Sequence, residues 1–183
     1  MCIRDSCNTA SGYFSTVGGG FKNMASCEYS TVGGGLCNIS NCSNSTISGG
    51  YTNNSTASGS TVGGGRCNTS SSAYSTIGGG YLNSATLTHS TISGGSKNIA
   101  SGYVSTVSGG YCNTASSFSS AILGGSNNNT SSFSSVMIVG NNITADRINT
   151  TFVNNLSIKN IPTSAAGLPS GAVYSLGGIL HIV

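Results

Sequence analysis

Glycine recurs every 15 residues through most of this chain of 183 residues, at Gly20, Gly35, Gly50, Gly65, Gly80, Gly95, Gly110, Gly125 and Gly140. Nine copies run from Ser6 to Gly140 with no insertion. So constant a period demands a unit of constant length that stacks on its neighbours. Two more columns keep step. Asparagine stands at Asn8, Asn23, Asn38, Asn53, Asn68, Asn83, Asn98, Asn113 and Asn128, and serine at Ser15, Ser30, Ser45 and every fifteenth residue as far as Ser135. Glycine doublets and triplets in every copy would break a helix. β-Branched residues set between Gly and Asn favour strand and turn.

Parity decides which side chains face inward. Val17, Val32, Ile47, Val62, Ile77, Ile92, Val107, Ile122 and Met137 each lie two residues after the serine column. Residues two apart in a strand share a face. Ser15 and Val17 are therefore predicted inside and Thr16 outside, and likewise in every copy. A second short strand places Asn8 and Ala10 inside and Thr9 outside. Its small inward column continues through Ala25, Ser40, Ser55, Ser70, Ala85, Ala100, Ala115 and Thr130. The glycine cluster at Gly18, Gly19 and Gly20 supplies one tight turn. Gly12, Cys27, Cys42, Ala57, Ser72 and Gly102 suit the other corner. The prediction is an all-β chain: a parallel β-solenoid, or β-roll, of nine 15-residue coils over residues 6–140, with a small β cap in 141–183. At strand spacing, nine coils make a rod of roughly 43 Å.

The interior of such a coil is thin, one Val or Ile against one Ala or Ser. Apolar burial alone does not offset the entropy of ordering a whole coil. Parallel-ladder hydrogen bonds, stacked identical side chains and burial between chains must supply the balance. Inward Asn and Ser columns are suited to this, because their side chains can satisfy turn backbone groups.

Composition excludes several function classes. Charged residues make up 5% of the chain, and the net charge is +3. Arg4, Lys22, Arg66, Lys97, Arg147 and Lys159 are scattered, with no basic run to mark a nucleic-acid partner. No apolar run is long enough for a membrane helix. The acidic residues are Asp5, Glu28 and Asp146, and no pair of them is placed for acid–base work. His89 falls at a variable turn position and reads as a surface residue; His181 lies in a C-terminal strand. No nucleophile elbow, phosphate loop or dinucleotide fingerprint is present. No catalytic residue, cofactor or metal is expected, and the role is structural or adhesive.

Three features carry alternatives. The cysteines are Cys2, Cys7, Cys27, Cys37, Cys42, Cys67 and Cys112, an odd number without a C-x-x-C pair. Cys7, Cys37, Cys67 and Cys112 share a turn column with Lys22, Thr52, Leu82, Lys97 and Asn127. Cys27 and Cys42 are one period apart, so a disulfide between them is sterically conceivable; the plainer reading is a turn position that tolerates Cys. The outward Thr column is either a solvated or chain-facing ladder or an ice-binding rank, although the adjacent rank that ice-binding surfaces use is irregular here. The aromatics Tyr13, Phe14, Tyr29, Tyr74, Tyr103, Phe118 and Phe133 sit at a corner, as a carbohydrate-contacting stripe or as packing between chains.

One coil reads N-T-A-S-G-Y-F-S-T-V-G-G-G from Asn8 to Gly20. It resembles the head repeat of YadA-like trimeric autotransporter adhesins through Ala10, Gly12, Ser15 and the glycine after the aliphatic residue. It departs from that repeat by one extra residue per coil and by Asn in place of the first Ser. The resemblance implies left-handed parallel β-rolls assembled as homotrimers. The array is also similar to those of viral tail-fibre-like proteins, where Tyr follows glycine as at Tyr51, Tyr81 and Tyr111. Residues 161–183 are similar to the closing segment of viral fibre proteins, with Leu176, Ile179 and His181 in place of the usual Asp, Thr and Lys. These resemblances imply a homotrimeric shaft or head segment of a virion fibre, presenting a surface to a host glycan or protein. The alternatives are the head of a bacterial trimeric adhesin and, third, a secreted ice-binding solenoid.

Residues 1–5 stand outside the repeat and resemble adaptor read-through at the start of a metagenome-derived frame, which implies a longer parent protein. Residues 141–183 leave the period. Pro162 and Pro169 bracket a loop there, and residues 172–174 and 179–183 read as two strands around Gly177 and Gly178. Phe152, Leu156, Ile158, Ile161, Val173, Tyr174, Leu176, Ile179, Leu180 and Ile182 make this segment denser in apolar residues than the coils. It is expected to cap the solenoid and hold three chains in register, because identical coils can slip by one period.

Overall fold

The computed structural model describes residues 7–155 together with residues 164, 166, 167, 170, 173–176 and 179–182. The leader 1–5, Leu156, Ile158, Ile161, Pro162 and Pro169 lie outside the described residues. Every regular element among those described is a strand. Each of the first eight coils contributes two strands of two residues, because Asn and Gly end the extended run almost as soon as it starts. One sheet has eight strands, from Thr9–Ala10 and Met24–Ala25 through to Thr114–Ala115. The other has ten, from Thr16–Val17 and Thr31–Val32 through Ala121–Ile122 to Met137–Val139 and Thr151–Val153. All neighbours within these two sheets pair in parallel, as Thr76 with Thr91 and Ile77 with Ile92. A third line of parallel bridges joins Phe21, Leu36, Tyr51, Arg66, Tyr81, Ser96, Tyr111 and Ser126 along the glycine-turn edge. The chain is a parallel β-solenoid, as its period predicts.

The core is a single file of branched aliphatics. Val32, Ile47, Val62, Ile77, Ile92, Val107 and Ile122 are fully buried, facing Ala25, Ala85, Ala100 and Ala115 or Ser40, Ser55 and Ser70. Val17, in the first coil, is half-buried and packs against them. The Thr column lies outward, half-buried between its own copies from Thr31 to Thr106.

The structure departs from the period in two places. Ala121 pairs with Met137 and Ile122 with Ile138, a step of one residue more than the period. Met137 then pairs with Thr151, one residue less. The inward places predicted for Ser135 and Met137 are taken by Val136 and Ile138, which are buried. Ser135 is exposed with φ 56, matching Ser119 at φ 50 in the coil before, and Met137 is 41% exposed. The extra residue enters at the corner, where Ser131 adopts φ 52 and donates its N–H to Asn129 Oδ1 at 2.7 Å, a local Asx turn. It also draws Phe133 off the corner stripe and packs it against the core. The following glycine turn is one residue shorter, so Gly140 returns to its place in the period. Burying Val136 and Ile138 removes two branched aliphatics from water, where the alternative would bury a Ser and a Met.

The stack also runs on past Gly140, giving ten turns where the glycine period marks nine. Asn129 bridges to Thr144, and Thr151–Val153 pairs along the whole of Met137–Val139. Ile143 stands where the asparagine column would continue. Its N–H donates to Asn128 Oδ1 at 3.1 Å, while its side chain, Phe152 and the buried Ala145 pack on the core. Backbone pairing needs no glycine signature, so this turn folds without one. Further on, Val173–Leu176 and Ile179–Ile182 form an antiparallel hairpin in a sheet of their own.

Candidate binding surface

Rigid columns inside the coil position everything outside it. Asn68 is buried and uses its whole amide. Its Nδ2 donates to Gly64 O at 3.0 Å, to Gly80 O at 2.9 Å and to Asn53 Oδ1 at 3.1 Å. Its Oδ1 accepts the N–H of Asn83 at 3.0 Å. The bonds to the two glycine carbonyls and from the next backbone N–H recur at Asn23, Asn38, Asn53, Asn83, Asn98, Asn113 and Asn128, so each Asn ties together the glycine turns of two coils. Asn8 is half-buried and begins the column, donating to Gly20 O and accepting from Asn23 N–H. Aspartate lacks the donors for this role. The turn needs glycine too: Gly65 has φ 82, and a Cβ there would stand 2.2 Å from Gly80 O.

The serine column holds the opposite corner. Ser15, Ser30 and Ser45 each donate their hydroxyl to the carbonyl three residues back, on Gly12, Cys27 and Cys42, at 2.8, 2.7 and 2.5 Å. Ser45 also meets Ser40 Oγ at 2.7 Å.

That corner turns through the left-handed region. Phe14, Tyr29, Asn44, Tyr74, His89 and Val104 all have φ between 55 and 58, a conformation that aims these side chains away from the coil. Phe14 stacks on Tyr29 with centroids 5.2 Å apart, Tyr74 on His89 at 5.3 Å and Tyr103 on Phe118 at 5.8 Å. Phe14 is 74% exposed and Tyr74 60%. The corner is aromatic and nearly uncharged, with Glu28 its one carboxylate.

The glycine-turn edge differs in charge. It carries Phe21, Leu36, Tyr51, Arg66, Tyr81 and Tyr111 in one column, with Lys22 and Lys97 in the next. Lys22 lies over Phe21 and Lys97 over Tyr111, and Arg66 lies between Tyr51 and Tyr81. Sequence reading did not single out this edge as a site. The signal was the spacing of Tyr51, Tyr81 and Tyr111 with cations between them, which becomes a surface only once the coils are stacked.

Among the described residues, no three His, Cys, Asp or Glu side chains gather where they could hold a metal. The ion pair described joins sequence neighbours, Arg147 Nε to Asp146 Oδ1 at 2.8 Å, and it holds the Asp146 carboxyl below its usual range. Cys27 and Cys42 are free thiols, and Cys27 Sγ is engaged with Asn41 O at 2.8 Å. An open depression of about 380 Å³ follows the register slip, lined by Ser119, Ala121, Ser135, Met137, Asn149 and Thr151. It contains no ionisable side chain. No helix among the described residues is long and apolar enough to cross a membrane. The Thr column has no second threonine rank beside it; Gly33, Ser48, Gly63, Gly78, Ser93 and Ser108 occupy that place.

Two stretches of the chain match a known family. They are residues 15–26 and 90–102, and they match the ubiquitous surface protein adhesin repeat. Both begin on the inward serine column and cover the same part of the coil: outward Thr, inward aliphatic, glycine turn, buried Asn and the strand of the eight-stranded sheet. What is shared with the adhesin repeat is thus the coil-forming segment itself, met twice, five turns apart. No curated protein matches the chain.

Proposed function

We propose that this chain is a non-catalytic rod segment of an extracellular fibre, assembled as a homotrimer and holding an attachment surface away from a virion or cell. The observation that carries the reading is the coil itself. Ten turns of parallel pairing make a stiff spacer, and two stretches of its repeating segment match an adhesin repeat. The neutral aromatic corner supports the trimer. An apolar rank as exposed as Tyr13, Phe14, Tyr29 and Tyr74 marks an interaction surface, and stacking it against two copies of itself would bury it. Resemblance of the array and of residues 161–183 to viral fibre proteins favours a virion fibre. The adhesin-repeat match favours the second reading, the head of a bacterial trimeric adhesin. In the genome, adjoining virion genes would support the first and a membrane-anchor barrel in the same reading frame the second.

Light scattering on the full chain tests the core of the proposal. A mass three times that of the 18.1 kDa chain is expected. Replacing Phe14, Tyr29 and Tyr74 together by Ser should lower it. A monomeric parent chain would overturn the fibre reading.

A further inference from the structure

The glycine-turn edge contains a slot whose width the protein itself displays. Tyr51, Arg66 and Tyr81 occupy three successive turns of one column. The Arg66 guanidinium lies 5.3 Å from the Tyr51 ring centroid and 5.6 Å from that of Tyr81. Two tyrosines two turns apart, at ~9.6 Å by strand spacing, thus admit one flat group between their faces. Tyr81, Ser96 and Tyr111 repeat this arrangement with a side chain too short to fill the middle. Leu36 fills the corresponding step between Phe21 and Tyr51, so Tyr81–Ser96–Tyr111 is the step of the described column where two aromatic rings flank a small residue.

The wall of this slot is charged. Lys97 Nζ lies 5.5 Å from the Tyr111 ring centroid and 3.4 Å from its hydroxyl. That hydrogen bond raises the Lys97 pKa above its ordinary value, so the ammonium is charged at neutral pH. Lys97 thus favours a free anionic group over a free cationic one in this slot. The wider edge has the same sign. Lys22, Arg66 and Lys97 all lie on it, no carboxylate pairs with any of them among the described residues, and the described ion pair is Asp146–Arg147.

We propose that the Tyr81–Ser96–Tyr111 slot binds an acidic sugar ring of an extracellular glycan, held between the two tyrosine faces with its carboxylate on Lys97. A pyranose presents C–H groups on both faces and hydroxyls around its rim. The faces suit two aromatic rings, and the rim meets the tyrosine hydroxyls and Ser96. An anionic glycan running along the rod then passes Arg66, two turns from Lys97, and Lys22, five turns away. The assignment rests on the chain's proposed place in an extracellular fibre, where such glycans are encountered.

The test is calorimetric titration of the full chain with a hexasaccharide of alternating glucuronate and N-acetylglucosamine, and with its carboxyl-reduced form. The acidic form should bind at least about tenfold more tightly than the reduced one. Ser96→Arg should weaken binding by at least about tenfold, because the new guanidinium fills the slot as Arg66 fills its own. Arg66 also shows that the column accepts this residue without misfolding. Lys97→Asn, a residue that Asn127 already carries in that column at φ 54, should abolish the preference for the acidic form. Because Ser96→Arg adds a positive charge, undirected attraction of a polyanion predicts tighter binding. Equal or tighter binding by this variant overturns the proposal. So does a chain of trimer mass that binds neither sugar, and so does a change of mass in Ser96→Arg, which would make this edge an interface between chains. A monomer that still binds through Ser96 and Lys97 overturns the fibre reading and leaves the slot standing.

Discussion

Ile122 pairs with Ile138, one residue beyond the period that relates Ile77 to Ile92, and that displacement alone turns Val136 and Ile138 inward and Met137 outward. Ile138→Ala should therefore cost about 2–4 kcal/mol, as for other fully buried aliphatics. Met137→Ala should stay within about 1 kcal/mol, as expected of a surface change. Thermal melts at fixed protein concentration compare the two. A larger loss for Met137→Ala would restore the unshifted register.

The columns were legible in the sequence because they are dictated by parity and by constant coil length. Ser15, Val17, Val32 and Thr16 needed nothing more than a period of two within a strand. The shift at Ser131 was not legible, because it is compensated: an added residue at one corner and a lost one at the next turn leave Gly125, Gly140, Asn127 and Asn142 in step. The tenth turn was hidden for another reason. Parallel pairing of Thr151–Val153 is a backbone property, and Phe152 reads equally well as part of a separate cap. The Tyr81–Tyr111 slot depends on two residues thirty positions apart, which a residue-by-residue reading of candidate sites does not bring together.

Asn68 gives a prediction about the ladder. Asn68→Leu leaves Asn83 N–H and Gly64 O without partners, takes one of two donors from Gly80 O, which keeps the Arg66 N–H, and should cost roughly 3 kcal/mol or more. Asn68→Asp should be worse at neutral pH, since a buried carboxylate would face two carbonyls. The folded pKa of the new carboxyl would lie above its unfolded value. Stability would then be greatest below the unfolded pKa and fall as the pH rises through the folded one. Urea melts across acidic and neutral pH check the sign; stability of Asn68→Asp that did not change with pH would count against the ladder geometry.

Val104 is strained. It holds φ 57 at the corner, where its neighbours in the column include Asn44 and Gly59. A β-branched residue is costly in the left-handed region, and Asn visits it readily. Val104→Asn should stabilise by about 1 kcal/mol and raise the melting temperature by a few degrees. Unchanged or lower stability would show that Val104 contributes packing that outweighs its backbone cost.

Two truncations separate capping from registration. Ending the chain at Gly140 removes Ile143, whose N–H serves Asn128 Oδ1, and Phe152, which packs on the core. That form should lose stability in its last coils, seen as a broadened melt. Ending it at Asn155 keeps all ten turns, so its circular dichroism should retain the β-signal of the solenoid and lose only that of the hairpin of Val173–Leu176 and Ile179–Ile182. Its assembly should not remain that of the full chain. The outward columns repeat with the coil, and a neighbouring chain displaced by one period meets the same Thr and Gly ranks. The variable corner opposes such a slip only weakly, because aromatic pairs recur there as Phe14–Tyr29 and Tyr103–Phe118. A segment outside the period would break the degeneracy; of residues 141–183, expected to do so, 141–155 belong to the tenth turn, and we propose that the remaining residues take that role. Light scattering of the Asn155 truncation should accordingly show a spread of oligomers in place of one mass. A uniform trimer would move registration into the corner column, where the alternation of Tyr74, His89 and Val104 would then have to set it.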